Sequence, residues 1–157
     1  LGTSIFPHFA RLVAHDDWEG LRRTVRAYSK LVLAVTIPIS LGIIVTSTFV
    51  VRLLFERGQF TADDTRAVAH VQAIYAIVIP IECLAVMFFR LVLSIRANHL
   101  LFYGSLGIFV FNVTADYALK HLFGVDGIVI ATVMNQGISL CFLVWLWRRQ
   151  WNRRFAA

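Results

Sequence analysis

The sequence predicts an all-α membrane protein, a polytopic transmembrane helix bundle with four full spans and the end of a truncated fifth. Of its 157 residues, 59% are hydrophobic and 15% are charged, whereas a soluble domain carries about 25% charged residues. The mean hydropathy is +0.73. Four apolar runs reach the length of about 20 residues that a helix needs to cross a membrane. Because lipid offers the backbone no hydrogen bonds, runs of this length are expected to be helices.

The whole chain is interpreted as one membrane unit without a soluble domain. Full spans are expected at 31–54, 68–95, 100–119 and 127–147, and residues 1–13 are interpreted as the tail of an earlier helix. The chain starts without Met, so we expect it to be the C-terminal part of a longer protein that supplies the preceding helices.

The segment before the first full span has the pattern of an amphipathic helix. An aspartate in the stretch HDDWE can cap its N-terminus. Apolar and aromatic side chains then fall on roughly one helical face: Trp18, Leu21, Val25 and Tyr28. Arginine and lysine occupy much of the remaining surface. This pattern predicts a helix lying at the membrane surface and leading into the first span.

The charged stretch LLFERGQFTADD separates the first two apolar runs. It lacks the Gly-Lys-Ser/Thr end of a phosphate loop, and it contains no His, Cys or Ser for nucleophilic catalysis. Gly58 suits the position after a helix, and Thr61 or Asp63 can cap the next one. Arg57 and Gly58 are therefore interpreted as a helix–turn–helix connector at the outer surface, with gating or substrate contact as the alternative.

The distribution of Lys and Arg predicts how the chain is oriented. One side of the predicted membrane holds eleven of the fifteen: Arg11, Arg22, Arg23, Arg26, Lys30, Arg90, Arg96, Arg148, Arg149, Arg153 and Arg154. The other side holds Arg52, Arg57, Arg66 and Lys120. The richer side is expected to be cytoplasmic, which places the C-terminus in the cytoplasm. The basic groups at 22–30 and 148–154 either set this topology or hold anionic lipid head groups.

The second span carries the candidate residues for transport. Glu82 lies near its middle, where an ionisable side chain is costly and indicates function by default. Gln72 and Tyr75 fall on the same helical face, and Arg90 lies two turns beyond Glu82, somewhat offset. The four side chains form either the polar wall of a transport cavity, with Glu82 as a carboxylate for a coupling ion, or a structural group paired between helices.

Two further polar stripes lie on the third and fourth spans. Asn112 and Asp116 are one turn apart, and Asn135 and Gln136 belong to the second stripe. Because a tight turn with two glycines joins the spans, the stripes are expected to face each other through interhelical hydrogen bonds. Asp116 is also expected to pair with Lys120, four residues later.

Other chemistry finds little support in the sequence. Cys83 and Cys141 lie inside apolar runs and have neither metal-ligand nor disulfide spacing. The five histidines are scattered near loops, which disfavours a membrane-embedded enzyme. We expect no cofactor and no metal. The basic residues adjoin apolar runs, so we also expect no nucleic-acid partner.

Five stretches, in this order, resemble one family of transporters: FPHFARL, DWEGLRRTVR, TIPIS, LLFERGQFTADDT and FNVTADYALKHLFGVDGIVIATVMNQ. They are similar to the MurJ (MviN-type) lipid II flippases, in the superfamily of multidrug, oligosaccharidyl-lipid and polysaccharide exporters. The resemblance covers nearly the whole chain. It implies that residues 1–157 are part of the C-terminal lobe of a transporter with about fourteen helices, most of whose cavity arginines lie in earlier helices.

The resemblance implies a lipid II flippase, which moves an undecaprenyl-linked peptidoglycan precursor across the bacterial inner membrane by alternating access. The expected partners are the lipid-linked precursor, membrane lipids and the missing N-terminal helices. No covalent chemistry is implied, so the protein is not expected to be an enzyme. The alternatives are a flippase for another lipid-linked oligosaccharide, a drug or cation exporter of the same superfamily, and a membrane scaffold without transport.

Overall fold

The computed structural model describes residues 11–13, 15, 17–57, 60–94 and 98–155. Within them the chain folds into four long helices: α1 (Trp18–Phe55), α2 (Ala62–Ser94), α3 (Asn98–Phe123) and α4 (Val125–Phe155). All four are long and apolar enough to cross a membrane. The described part contains no strand, so the predicted all-α membrane fold is confirmed. Residues 1–10 of the predicted helix tail lie outside the described residues, as does Gly58.

Helix α1 corrects the prediction of a separate surface helix before the first span. It runs unbroken for 38 residues, and the predicted surface segment forms its first third. Asp17 caps it as expected, because its Oδ1 accepts a hydrogen bond from the N–H of Gly20 at 2.9 Å. Leu21 and Val25 are 0% and 2% exposed and belong to the hydrophobic core. The apolar face of this segment therefore packs against protein.

The helices form a row whose spatial order differs from their order in the chain. Helix α1 packs along α2, α2 packs along α4, and α4 packs along α3. The main core cluster lies where the start of α1 meets the ends of α2 and α4 and the start of α3. Its buried members are Leu21, Val25, Ala85, Met87, Phe88, Leu91, Val92, Leu101, Leu143 and Leu146. The arrangement leaves much of α1 and α3 open on their outer faces.

Small polar side chains line the contact between α1 and α2. Thr36, Ser40 and Ser47 are all buried in α1. The hydroxyls of Thr36 and Ser47 donate to carbonyls of their own helix, at 2.7 and 2.9 Å. Since these two hydroxyls are satisfied within α1, the residues act through their small size, which lets two membrane helices approach closely.

Helices α3 and α4 form a tight hairpin. Gly124 alone separates them, with a φ of +62°, and its N–H donates to the carbonyl of Lys120 at 2.9 Å. Glycine adopts this left-handed conformation without steric cost. Gly127, predicted as a second turn residue, lies within α4 instead. A Cβ atom there would overlap the backbone carbonyl of Leu119, so this glycine allows the two helices to touch.

Candidate functional site

Glu82 lies on a face of α2 that neither α1 nor α4 covers. It is exposed, as are Tyr75, Val86 and Phe89. These residues stand seven before, four after and seven after Glu82, so all four share one helical face. Glu82 forms no ion pair or hydrogen bond with the part of the chain that the structure describes. A single carboxyl group thus stands on an open and otherwise apolar face.

Gln72 and Arg90 lie at the edge of the same face. Both are half-buried, and they are about 80° around the helix from Glu82 at 100° per residue. Arg90 takes part in a contact, so it is not a free cation. The structure thus gathers the four predicted residues on one side of α2. Whether they contact a transported molecule stays a prediction.

The exposed carboxyl group of Glu82 in a membrane-spanning helix needs a polar environment, because a charge in contact with lipid is costly. Charged side chains within membrane helices almost always face the bundle interior or a water-filled cavity, since exposure to lipid is costly. Among the described residues, no group of three or more His, Cys, Asp and Glu side chains comes together as a metal site. This face of α2 can therefore offer a negative charge or a protonatable group to a polar cavity.

The connector between α1 and α2, predicted to lie at the outer surface (the outer connector), is held by hydrogen bonds at its described ends. Thr61 caps α2, as predicted, because its carbonyl accepts the N–H of Thr65 at 3.0 Å. Its backbone N–H and hydroxyl both donate to Oδ2 of Asp64, at 2.8 and 2.7 Å. Across the turn, the hydroxyl of Thr65 donates to Glu56 at 3.1 Å. Thr65 is 3% exposed, so this bond ties the end of α1 to the start of α2.

Arg57 is exposed in this turn. It contributes backbone bonds: its N–H donates to the carbonyl of Phe55, and its own carbonyl accepts from Phe60. The Phe55 and Phe60 rings lie 6.2 Å apart. These contacts agree with a connector. A gating or substrate-contacting role for Arg57 and Gly58 stays a prediction.

The polar stripes of α3 and α4 lie on packed helices, with Asn112, Asp116, Asn135 and Gln136 all half-buried. Oδ1 of Asp116 and Oδ1 of Asn135 are buried without a hydrogen-bond partner in the described part. These two oxygens therefore do not make the predicted interhelical bonds. The predicted ion pair between Asp116 and Lys120 is also absent there.

The start of α1 and the end of α4 meet beside the core cluster, which the sequence did not predict. The rings of Trp18 and Trp151 lie 6.3 Å apart, edge to face, and those of Trp147 and Trp151 lie 5.9 Å apart. The guanidinium of Arg22 sits 5.7 Å from the ring centre of Trp151. Nothing in the sequence paired α1 with α4.

Comparisons with known proteins agree with the membrane architecture. Three curated relatives are named "Probable lipid II flippase MurJ". The one from Rhizobium meliloti is 26% identical over 98% of this chain and 29% of its own length. The one from Synechocystis is 27% identical over 92% of the chain and 27% of its length. The one from Thermotoga maritima is 28% identical over 71% of the chain and 24% of its length.

The chain thus spans less than a third of the length of each of these relatives. No solved structure matches it significantly. A family model described as "Lipid II flippase MurJ" matches residues 1–157. The match covers every helix described above and the connectors between them. The chain therefore belongs to the MurJ family of lipid II flippases.

Proposed function

We propose that the protein containing this chain is a lipid II flippase of the bacterial inner membrane. It moves an undecaprenyl-linked peptidoglycan precursor between leaflets by alternating access, and the four helices α1 to α4 form much of one lobe. Family membership over the whole chain supports the class of activity. The names of the relatives support the substrate. No covalent step is involved.

The assignment of one face of α2 as the transport face rests on the position of Glu82. It stands exposed in the middle of α2 on an apolar face. The chain spans less than a third of the length of each relative, and the proposed flippase includes further helices that cover that face. We infer that they enclose a polar cavity against α2, walled by Glu82, Tyr75, Gln72 and Arg90. Within it Glu82 serves as the carboxylate for a coupling ion or proton.

The proposed orientation places the outer connector at 56–61 outside the cell and the C-terminus in the cytoplasm. Eleven of the fifteen Lys and Arg residues then lie on the cytoplasmic side, in accordance with the positive-inside rule.

Complementation tests the proposal. The full-length protein is expressed in a bacterium depleted of its own lipid II flippase, and survival is scored together with the amount of protein inserted in the membrane. We expect the unmodified protein to restore growth. We expect Glu82→Gln and Arg90→Ala to abolish or strongly reduce rescue at equal insertion. Asp63→Asn is the matched control, since it removes a carboxylate from an exposed surface pair of the same helix.

The outcomes separate the activity from the site. Failure of a well-inserted unmodified protein would contradict lipid II transport and favour another lipid-linked oligosaccharide. Rescue by the unmodified protein and by both α2 variants would keep the activity and remove Glu82 and Arg90 from the mechanism. Equal loss in Asp63→Asn and Glu82→Gln would show that any missing carboxylate on α2 has the same effect.

A further inference from the structure

A groove rich in cations lies between the first third of α1 and the C-terminal end of α4. Two cavities of about 660 and 600 Å³ adjoin here and share Arg22, Arg26, Lys30 and Trp151 in their walls. We call these two cavities the basic groove. It lies beside the core cluster and at the opposite end of the helices from the outer connector, and Glu82 does not line it.

The charge lining the basic groove is strongly one-sided. Its walls hold five cationic side chains: Arg22, Arg23, Arg26, Lys30 and Arg148. The same walls hold one carboxylate, that of Glu19, which leaves a balance of five positive charges to one negative. None of the five cations forms an ion pair within the described ranges of the chain. The groove thus presents uncompensated positive charge.

Three cationic side chains of α1 line one wall of the basic groove at regular intervals and can donate hydrogen bonds into it. Arg22, Arg26 and Lys30 follow at intervals of four residues, so each stands about 6 Å further along the helix than the one before. The ring of Trp151 orients the Arg22 guanidinium by a cation–π contact. A guanidinium presents a fixed fork of N–H donors that matches phosphate oxygens. The wall therefore suits a phosphate group.

The second cavity combines these donors with apolar and aromatic walls. Val25, Phe88, Val144 and Trp147 line it together with the cations. Apolar walls beside cations can contact the glycerol and acyl groups of a lipid whose phosphate the cations hold.

We propose that the basic groove binds the phosphate headgroup of an anionic phospholipid from the leaflet at this end of the helices. Arg22 and Arg26 hold the phosphate, Lys30 and Arg148 add charge, and the Trp147 side chain lines the apolar wall. The apolar walls select a phospholipid over a small soluble anion. Basic pockets between membrane helices are suited to such headgroups. The site neither uses the transport residues of α2 nor depends on the transported substrate.

Lipid retention tests the site without any transport assay. The full-length protein is purified in detergent, and binding of phosphatidylglycerol, phosphatidylcholine and glycerol 3-phosphate is titrated by native mass spectrometry. We expect phosphatidylglycerol to bind most tightly. The double variant Arg22→Gln/Arg26→Gln should weaken its binding at least about tenfold. Replacing the same two residues by Lys should preserve only part of it, because the charge remains but the guanidinium fork and the stacking of Arg22 on Trp151 are lost.

The matched control removes two charges from the same end of the protein but outside the groove. Arg11 and Arg149 are exposed, and neither lines the basic groove. We expect Arg11→Gln/Arg149→Gln to retain the binding of the unmodified protein. Circular dichroism and gel filtration check that each variant is folded.

Three results would overturn the proposal. An equal loss in the two Gln pairs would show general surface attraction in place of a site. Binding of glycerol 3-phosphate as tight as that of phosphatidylglycerol would make the groove a small-anion site. Phosphatidylcholine bound as tightly as phosphatidylglycerol would remove the role of the cations.

Discussion

At the scale of single residues, polar side chains close the N-terminal ends of two described helices. Asp17 caps α1, and Thr61 with Asp64 caps α2. The sequence narrowed both caps to near neighbours, an aspartate in HDDWE and either Thr61 or Asp63, because a capping side chain bonds a backbone within three residues of itself. The structure selects Asp17 and Thr61. The unpaired oxygens of Asp116 and Asn135 could not be predicted from the sequence, because their surroundings depend on how α3 and α4 pack against each other.

The cap of α2 yields a stability prediction. Thr61→Ala removes the hydroxyl that donates to Asp64 and accepts from its backbone N–H. We expect it to lower the free energy of unfolding by about 0.5–2 kcal/mol, the usual cost of losing such a cap. Denaturant titration of the full-length protein in detergent measures this. Asp63→Ala is the control, since its pair with Arg66 is solvent-exposed and contributes little. An equal loss in both variants would contradict the cap.

The same cap has a defined dependence on pH. Hydrogen bonds from the backbone N–H and then the hydroxyl of Thr61 lower the pKa of Asp64 from its ordinary value of 3.8. Asp64 precedes the span expected to begin at residue 68. Because the folded-state pKa is lowered, the ionised cap contributes its full stability above the ordinary pKa. That contribution is lost as the pH falls through the lowered pKa.

At the scale of elements, the number and type of the long helices followed from the sequence, whereas their boundaries and lengths did not. The apolar runs predicted four spanning helices, and four long helices are present in the described part. Each begins before its predicted span, and α1 continues from the supposed surface segment without a break. No glycine or proline interrupts residues 21–37. The local pattern therefore allowed one helix, and burial of Leu21 and Val25 in the core cluster stabilises its first third.

The α3–α4 hairpin gives a prediction at this scale. A Cβ atom at Gly127 would overlap the carbonyl of Leu119, so Gly127→Ala must push the two helices apart. We expect it to destabilise the protein by about 1–3 kcal/mol, as overpacking usually does. Thermal unfolding in detergent measures the effect.

Gly137 is the matched control on the same helix. A Cβ atom there meets nothing within 4 Å. Gly137→Ala should therefore be neutral, or stabilising by up to about 1 kcal/mol, because alanine favours the helix more than glycine. If the two alanine variants unfolded alike, close approach at Gly127 would not be what stabilises the hairpin.

At the scale of the whole molecule, the orientation in the membrane can be tested directly. We expect a cysteine placed at Arg57 to react with a membrane-impermeant maleimide added outside intact cells. A cysteine placed at Arg149 should react only after the membrane is permeabilised. Both positions are exposed in the structure. Both measurements use a background in which Cys83 and Cys141 are replaced by Ala. The reverse pattern of labelling would overturn the positive-inside assignment.

The sequence by itself determined the features that depend on composition and on near neighbours. These are the membrane class, the helical fold, the candidate caps (an aspartate in HDDWE, and Thr61 or Asp63), and the resemblance later matched by a family model over residues 1–157. Each rests on a length, a spacing or a residue type that acts within a few turns.

The tertiary structure alone decided which helices touch and which faces stay open. It placed α2 between α1 and α4, and it left Glu82 on an uncovered face. It also brought Arg22 to Trp151, which are 129 positions apart in the chain. The physical reason is that membrane helices pair by the fit of their surfaces, and that fit depends on partners distant in sequence.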